Sequence, residues 1–159
     1  MATDDRSPGG GHPHSTAKIA THPIHPMLIP FPIVCFIGTL VTDIAYARNP
    51  DPGWATASHW LLAVGLVMAA LAAVAGLTDY LGDERIRRLT DALKHMLANV
   101  TAVVLEVVNL VLRLKNDDFI ASTGVWISLV VVLILLYSGW MGGKLVFEHG
   151  IGVQDRSNI

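Results

Sequence analysis

Four histidines and an aspartate carry the chemistry most worth explaining: His22, His25, Asp79, His95 and His149. Imidazole ligates zinc, copper and iron, and histidine is a common axial ligand of haem. Several imidazoles together also suit proton binding. His22 and His25 stand in His22-Pro23-Ile24-His25-Pro26-Met27. Pro23 keeps His22 extended, and Pro26 fits the first turn of a helix, where its missing N–H is not needed. Two imidazoles are thus held in a restricted geometry beside a helix start. Pro30 and Pro32 disturb that helix early and leave carbonyls for other partners. His149-Gly150-Ile151-Gly152 lets the backbone turn sharply after a helix. Taken singly, each histidine reads as a helix cap or an anchor at headgroup level. That is the reading of His59, beside Trp60.

A second set shares one periodicity. His95, Asn99, Glu106, Asn109 and Arg113 are separated by 4, 7, 3 and 4 residues. Such steps keep all five on one helical face. Two readings compete: a proton or ion path or the wall of a cofactor pocket, or hydrogen-bonded glue between helices. Asp43 is expected to pair with Arg113.

The elements that must position these residues are apolar. Only 15% of the residues are charged, where a soluble domain of this size carries about 25%. Four stretches, approximately Met27–Ala47, Trp60–Tyr80, Met96–Leu114 and Val125–Phe147, have almost no charge. Each approaches the roughly 20 apolar residues that span a bilayer as a helix. Strict period-2 alternation is missing, so helices are the expected form. The predicted architecture is an all-α integral membrane protein, an up-down-up-down four-helix transmembrane bundle over residues 21–153. Residues 1–20, with His12 and His14, are expected to form a disordered polar tail, and residues 154–159 a short C-terminal tail. Ala45-Tyr46-Ala47 resembles a signal cleavage site, but the apolar stretch exceeds the usual signal core of about 7–15 residues. The first helix is therefore expected to be retained.

Short connections force antiparallel neighbours. Gly65, Ala69, Ala72 and Gly76, and the Gly139/Gly143 pair, are expected to mark close helix approaches. Four spans also place His22, His25, Asp79, His95 and His149 at one membrane face. Arg6, Lys18, Arg85, Arg87, Arg88, Lys94, Lys144 and Arg156 share that face, against Arg48, Arg113 and Lys115 opposite. Eight cations against three favour both termini in the cytoplasm, the expected orientation. A net charge of −2 gives no basic surface for nucleic acid. The single cysteine, Cys35, allows no internal disulfide, and no C-x-x-C-H haem-attachment motif is present.

Several segments carry a resemblance. They are His22-Pro23-Ile24-His25-Pro26-Met27-Leu28-Ile29-Pro30-Phe31-Pro32, Gly76-Leu77-Thr78-Asp79-Tyr80, His95 with Asn99, Asn109 to Arg113, and Gly139-Trp140-Met141-Gly142-Gly143-Lys144-Leu145-Val146-Phe147-Glu148-His149-Gly150-Ile151-Gly152-Val153. Through them, over about residues 20–153, the chain resembles the bacterial membrane-protein family catalogued as domain of unknown function 2231. Some proteins similar to that family join the domain to a Rieske iron–sulfur or cytochrome-like domain. The resemblance therefore implies proximity to electron transfer and a place in the bacterial inner membrane.

Three functions follow as expectations. The first is a redox subunit binding haem b or a transition metal (Fe, Cu or Zn) through the histidine cluster, beside a redox partner protein or a second copy. The second is a small proton or ion channel or transporter. The third is a non-catalytic membrane scaffold. No nucleophile–base pair or phosphate-cradling loop is present, so no independent enzymatic activity is expected.

Overall fold

The computed structural model describes residues 15–19 and 22–153. A minimal antiparallel pair opens it: β1 (Lys18–Ile19) and β2 (His22–Pro23), with Lys18 opposite Pro23. Then come α1 (Ile24–Leu28), α2 (Pro30–Arg48), α3 (Pro52–Gly82), α4 (Glu84–Arg87) and α5 (Thr90–Arg113). A π-helical turn, Ile120–Gly124, leads into α6 (Val125–Phe147). Among the described residues, four helical spans are long and apolar enough to cross a membrane: Ile24–Arg48, Pro52–Gly82, Thr90–Arg113 and Ile120–Phe147.

Local chemistry sets where these helices begin. α1 runs into α2 through Ile29, whose own backbone is helical and whose N–H donates to the His25 carbonyl. Pro30 and Pro32 lack the N–H groups that would reach the carbonyls of Pro26 and Leu28. α3 starts at Pro52, not near Trp60. Asp51 Oδ1 accepts from Gly53 N at 2.7 Å, and Pro52 occupies the first helical turn. Likewise α5 starts at Thr90 rather than Met96. Hydropathy marks the part of a helix that suits hydrocarbon, whereas the Asp51 cap and Pro52 set where α3 starts; α5 begins without a side-chain cap. The connections are accordingly shorter than the dozen or so residues that hydropathy allows. The one joining α3 to α5 holds α4, where Asp83 accepts from the Arg85 backbone and side chain. That bond holds the Arg85 guanidinium above the usual arginine range.

The helices form the expected up-down-up-down bundle. α2 packs beside α3 and α6, and α5 beside α6 and α3, so α2 and α5 lie across a diagonal. Burial is inside-out relative to a soluble protein. Val34, Val67, Val74, Leu133, Leu136 and Phe147 are exposed, while Asp43, Ser58, Glu106, Asn109, Arg113 and Ser128 are fully buried. At mid-depth Phe36, Leu62, Ala69, Ala102 and Val131 form an apolar core layer.

Two expectations need correction. The stripe on α3 does face inward: Gly65, Ala69 and Ala72 are buried, and a side chain at Gly65 would collide with Phe36 and Cys35. The Gly139/Gly143 pair on α6 instead opens outward, with nothing within 4 Å of a Cβ built at either position. The register of α6 turns Gly142 inward in their place. The polar lead, expected to be free up to residue 20, is tied down at its end. Ser15 is buried, and residues 15–17 bind Asp79. His12 and His14, with residues 154–159, lie outside the described residues.

Candidate functional site

The polar stripe of α5 divides into two groups, one on each side of the apolar core layer. Ala102, between Asn99 and Glu106, belongs to that layer. Both groups bridge the same diagonal of the bundle.

Towards the α2–α3 and α5–α6 connections, Arg113 lies inside the bundle. Its Nη1 donates to Asp43 Oδ1 at 2.9 Å and its Nη2 to Asp43 Oδ2 at 3.0 Å. Nε and Nη2 also donate to Asn109 Oδ1, at 3.2 and 2.7 Å, and Nη1 donates to Ser58 Oγ. Every N–H of the guanidinium thus has an acceptor. Asp43 is equally filled, because Ser58 Oγ and Ser128 Oγ donate to its two oxygens. Asn109 Nδ2 donates to Ser128 Oγ at 3.1 Å and to Glu106 Oε2 at 2.8 Å. Gly124, in the π-helical turn, leaves room for the guanidinium, since a Cβ there would stand 3.3 Å from Arg113 Nη2. The turn is what places that glycine against the head of Arg113.

At the other face stand two imidazoles. His25 Nδ1 donates to the Ala72 carbonyl of α3 at 2.8 Å. His95 Nδ1 donates to the Ser138 carbonyl of α6 at 2.9 Å, with Ser138 Oγ at 3.0 Å. A carbonyl can only accept, so Nδ1 carries a proton in both rings, and Nε2 is the nitrogen left for another partner. Asn99 Nδ2 lies 3.2 Å from His95 Nε2 and also donates to His95 O and Ser138 Oγ, each at 2.8 Å. The ring centroids are 6.2 Å apart and the planes almost perpendicular. Two glycines make the seats. A Cβ at Gly76 would come within 2.9 Å of the His25 ring, and one at Gly142 within 3.2 Å of His95.

Of the five residues expected to converge at this face, the structure brings His25 and His95 together. Asp79 is engaged elsewhere. Its Oδ1 accepts from Ser15 Oγ at 2.9 Å and from the backbone N–H groups of Thr16 and Ala17 at 2.7 Å each. His149 faces Asp91 at 3.3 Å, and Lys144 donates to the same carboxylate oxygen at 2.9 Å. His22 is exposed in β2. Among the described residues, no three His, Cys, Asp or Glu side chains form a group that could hold a metal ion. A closed tetrahedral zinc site therefore does not fit these side chains. Two imidazoles remain close together, and fixing Nδ1 on a carbonyl is how ligand imidazoles are oriented. His59, on the opposite face, has Nε2 3.7 Å from Asp117 Oδ1.

Sequence reasoning missed Ser58, Ser128, Ser138 and Asp91. Serines inside apolar helices were a signal, since a hydroxyl there needs a partner. Nothing in linear order named the partner.

The family described as "Predicted membrane protein (DUF2231)" matches residues 21–155. No curated protein and no solved structure matches the chain. With most of its length matched and its polar groups turned into a four-span bundle, the chain belongs to the DUF2231 family of predicted membrane proteins.

Proposed function

We propose that this membrane protein binds haem b or a transition metal ion through His25 and His95. The observation that carries this reading is the shared tautomer. Both Nδ1 atoms are committed to helix carbonyls, so a ligand has Nε2 as its coordinating atom in each ring. Gly76 and Gly142 support it, because a side chain at either position would crowd the His25 or the His95 ring. A bound haem would supply one-electron chemistry. The chain's own part is to hold two imidazoles in one tautomer and one orientation. Electron transfer would then need a redox partner protein, or a second copy of the chain, to hold the other centre.

The apolar layer of Phe36, Leu62, Ala69, Ala102 and Val131 separates the two polar groups. A channel would need a continuous polar route through that layer, and ligand binding needs none. We further place the protein in a bacterial inner membrane with both termini in the cytoplasm. Arg113, counted earlier among the opposing cations, is buried in an ion pair. Removing it makes the excess of Lys and Arg on the terminal side larger.

The test is a visible spectrum and elemental analysis of the purified protein. A Soret band, or stoichiometric Fe, Cu or Zn, is expected in the wild type and lost in both His25→Ala and His95→Ala. A protein without a Soret band and without bound metal would end this reading.

A further inference from the structure

We propose that Glu106 is a proton-binding site, its buried carboxyl group held as the neutral acid in the resting protein. Glu106 is fully buried on α5. Oε2 accepts from Asn109 Nδ2 at 2.8 Å. Oε1 is buried as well and has no hydrogen-bond partner.

The neighbouring donors are all committed. Each N–H of Arg113 already reaches Asp43, Ser58 or Asn109. The hydroxyls of Ser58 and Ser128 donate to Asp43. Both amide hydrogens of Asn109 are used, on Glu106 and Ser128. The charged groups that act on Glu106 are Asp43 from α2 and Arg113 from α5. They neutralise one another in a two-point pair. α3 and α6 face the cluster with uncharged Ser58 and Ser128.

An ionised Glu106 would thus be a second buried anion beside a single cation that is already matched, with one oxygen bare. Proteins avoid that arrangement because an unpaired buried charge loses its hydration without replacement. Protonation removes the second buried charge. Oε2 becomes the carbonyl oxygen that Asn109 needs, and Oε1 becomes the hydroxyl. Nothing else in the network has to change. The apolar layer closes the side towards His95, so exchange of this proton runs towards the opposite face, through opening of the Asp43–Arg113 cluster. This inference does not depend on a ligand at His25 and His95.

Infrared spectroscopy of the full chain in lipid nanodiscs, with glutamate carboxyl groups labelled with carbon-13, tests it. The chain has three glutamates, Glu84, Glu106 and Glu148. The side chains of Glu84 and Glu148 are 65% and 60% exposed. Both also face cations, Glu84 facing Arg88 at 2.6 Å and Glu148 facing Lys144 at 3.8 Å. The expected result is a protonated-carboxyl stretch at neutral pH that shifts with the label, disappears in Glu106→Gln and persists in the double variant Glu84→Gln/Glu148→Gln. A wild-type spectrum with no label-sensitive band would overturn the proposal. So would loss of the band in the double variant. Neither outcome requires Glu106→Gln to fold.

Discussion

Arg113 of α5 and Asp43 of α2 form a two-point ion pair between helices that lie across the bundle's diagonal. His25, on the α1 extension of that same α2, meets His95 of α5 across the same diagonal. α3 and α6 fill the other diagonal with hydroxyls and backbone carbonyls. The charged and ring-bearing partners therefore come from the first and third spans, and the groups that orient them from the second and fourth.

Breaking the ion pair from one side leaves a buried charge uncompensated. Arg113→Gln, or Asp43→Asn, should destabilise the protein by about 3–5 kcal/mol. The double variant Asp43→Asn/Arg113→Gln should lose less than the sum of the two. Reversible unfolding in mixed detergent measures all three, and strict additivity would mean that the pair is not coupled.

Glycine seats make a prediction with an inverted sign. Alanine is normally the better helix former by about 0.8–1 kcal/mol. At Gly139, where a Cβ meets nothing, Ala should be neutral or stabilising to that extent. At Gly76 the new methyl group meets the His25 ring, so Gly76→Ala should destabilise by about 1–3 kcal/mol through overpacking. Thermal unfolding of the two variants side by side decides it. A stabilised Gly76→Ala would show that His25 does not occupy this seat.

Asp79 fastens residues 15–17 to the end of α3 through one carboxylate oxygen. Hydrogen bonds to a charged group contribute about 1.5–3 kcal/mol each. Asp79→Ala should therefore raise hydrogen exchange at the Thr16 and Ala17 amides by tenfold or more, with little change at mid-helix amides. Unchanged exchange at those two amides would remove Asp79 from the role of tether.

Topology can be read by labelling. In a Cys35→Ser background, a cysteine at Lys115 should react with an impermeant maleimide added to whole cells. A cysteine at Arg87 should react only after the membrane is opened. The reverse pattern would put the termini outside.

Much of this architecture is legible in linear order. Hydropathy alone marks four spans, because a helix in lipid must present apolar side chains over about 20 residues. The 4-7-3-4 spacing marks the inward face of α5, because an ionisable group in hydrocarbon must turn away from lipid. Those two facts make Asp43 the natural partner of Arg113, and they place the histidines at one end. What linear order could not supply is which groups at that end touch. Four spans bring His22, His25, Asp79, His95 and His149 to a common depth, but depth is not contact. The choice of partners was made by helix rotation and by carbonyls that no sequence pattern names. Ala72 and Ser138 take the ring protons of His25 and His95, residues 15–17 take Asp79, and Asp91 takes His149. The unmatched oxygen of Glu106 belongs to the same category. It becomes visible only when every donor around it has been assigned in three dimensions.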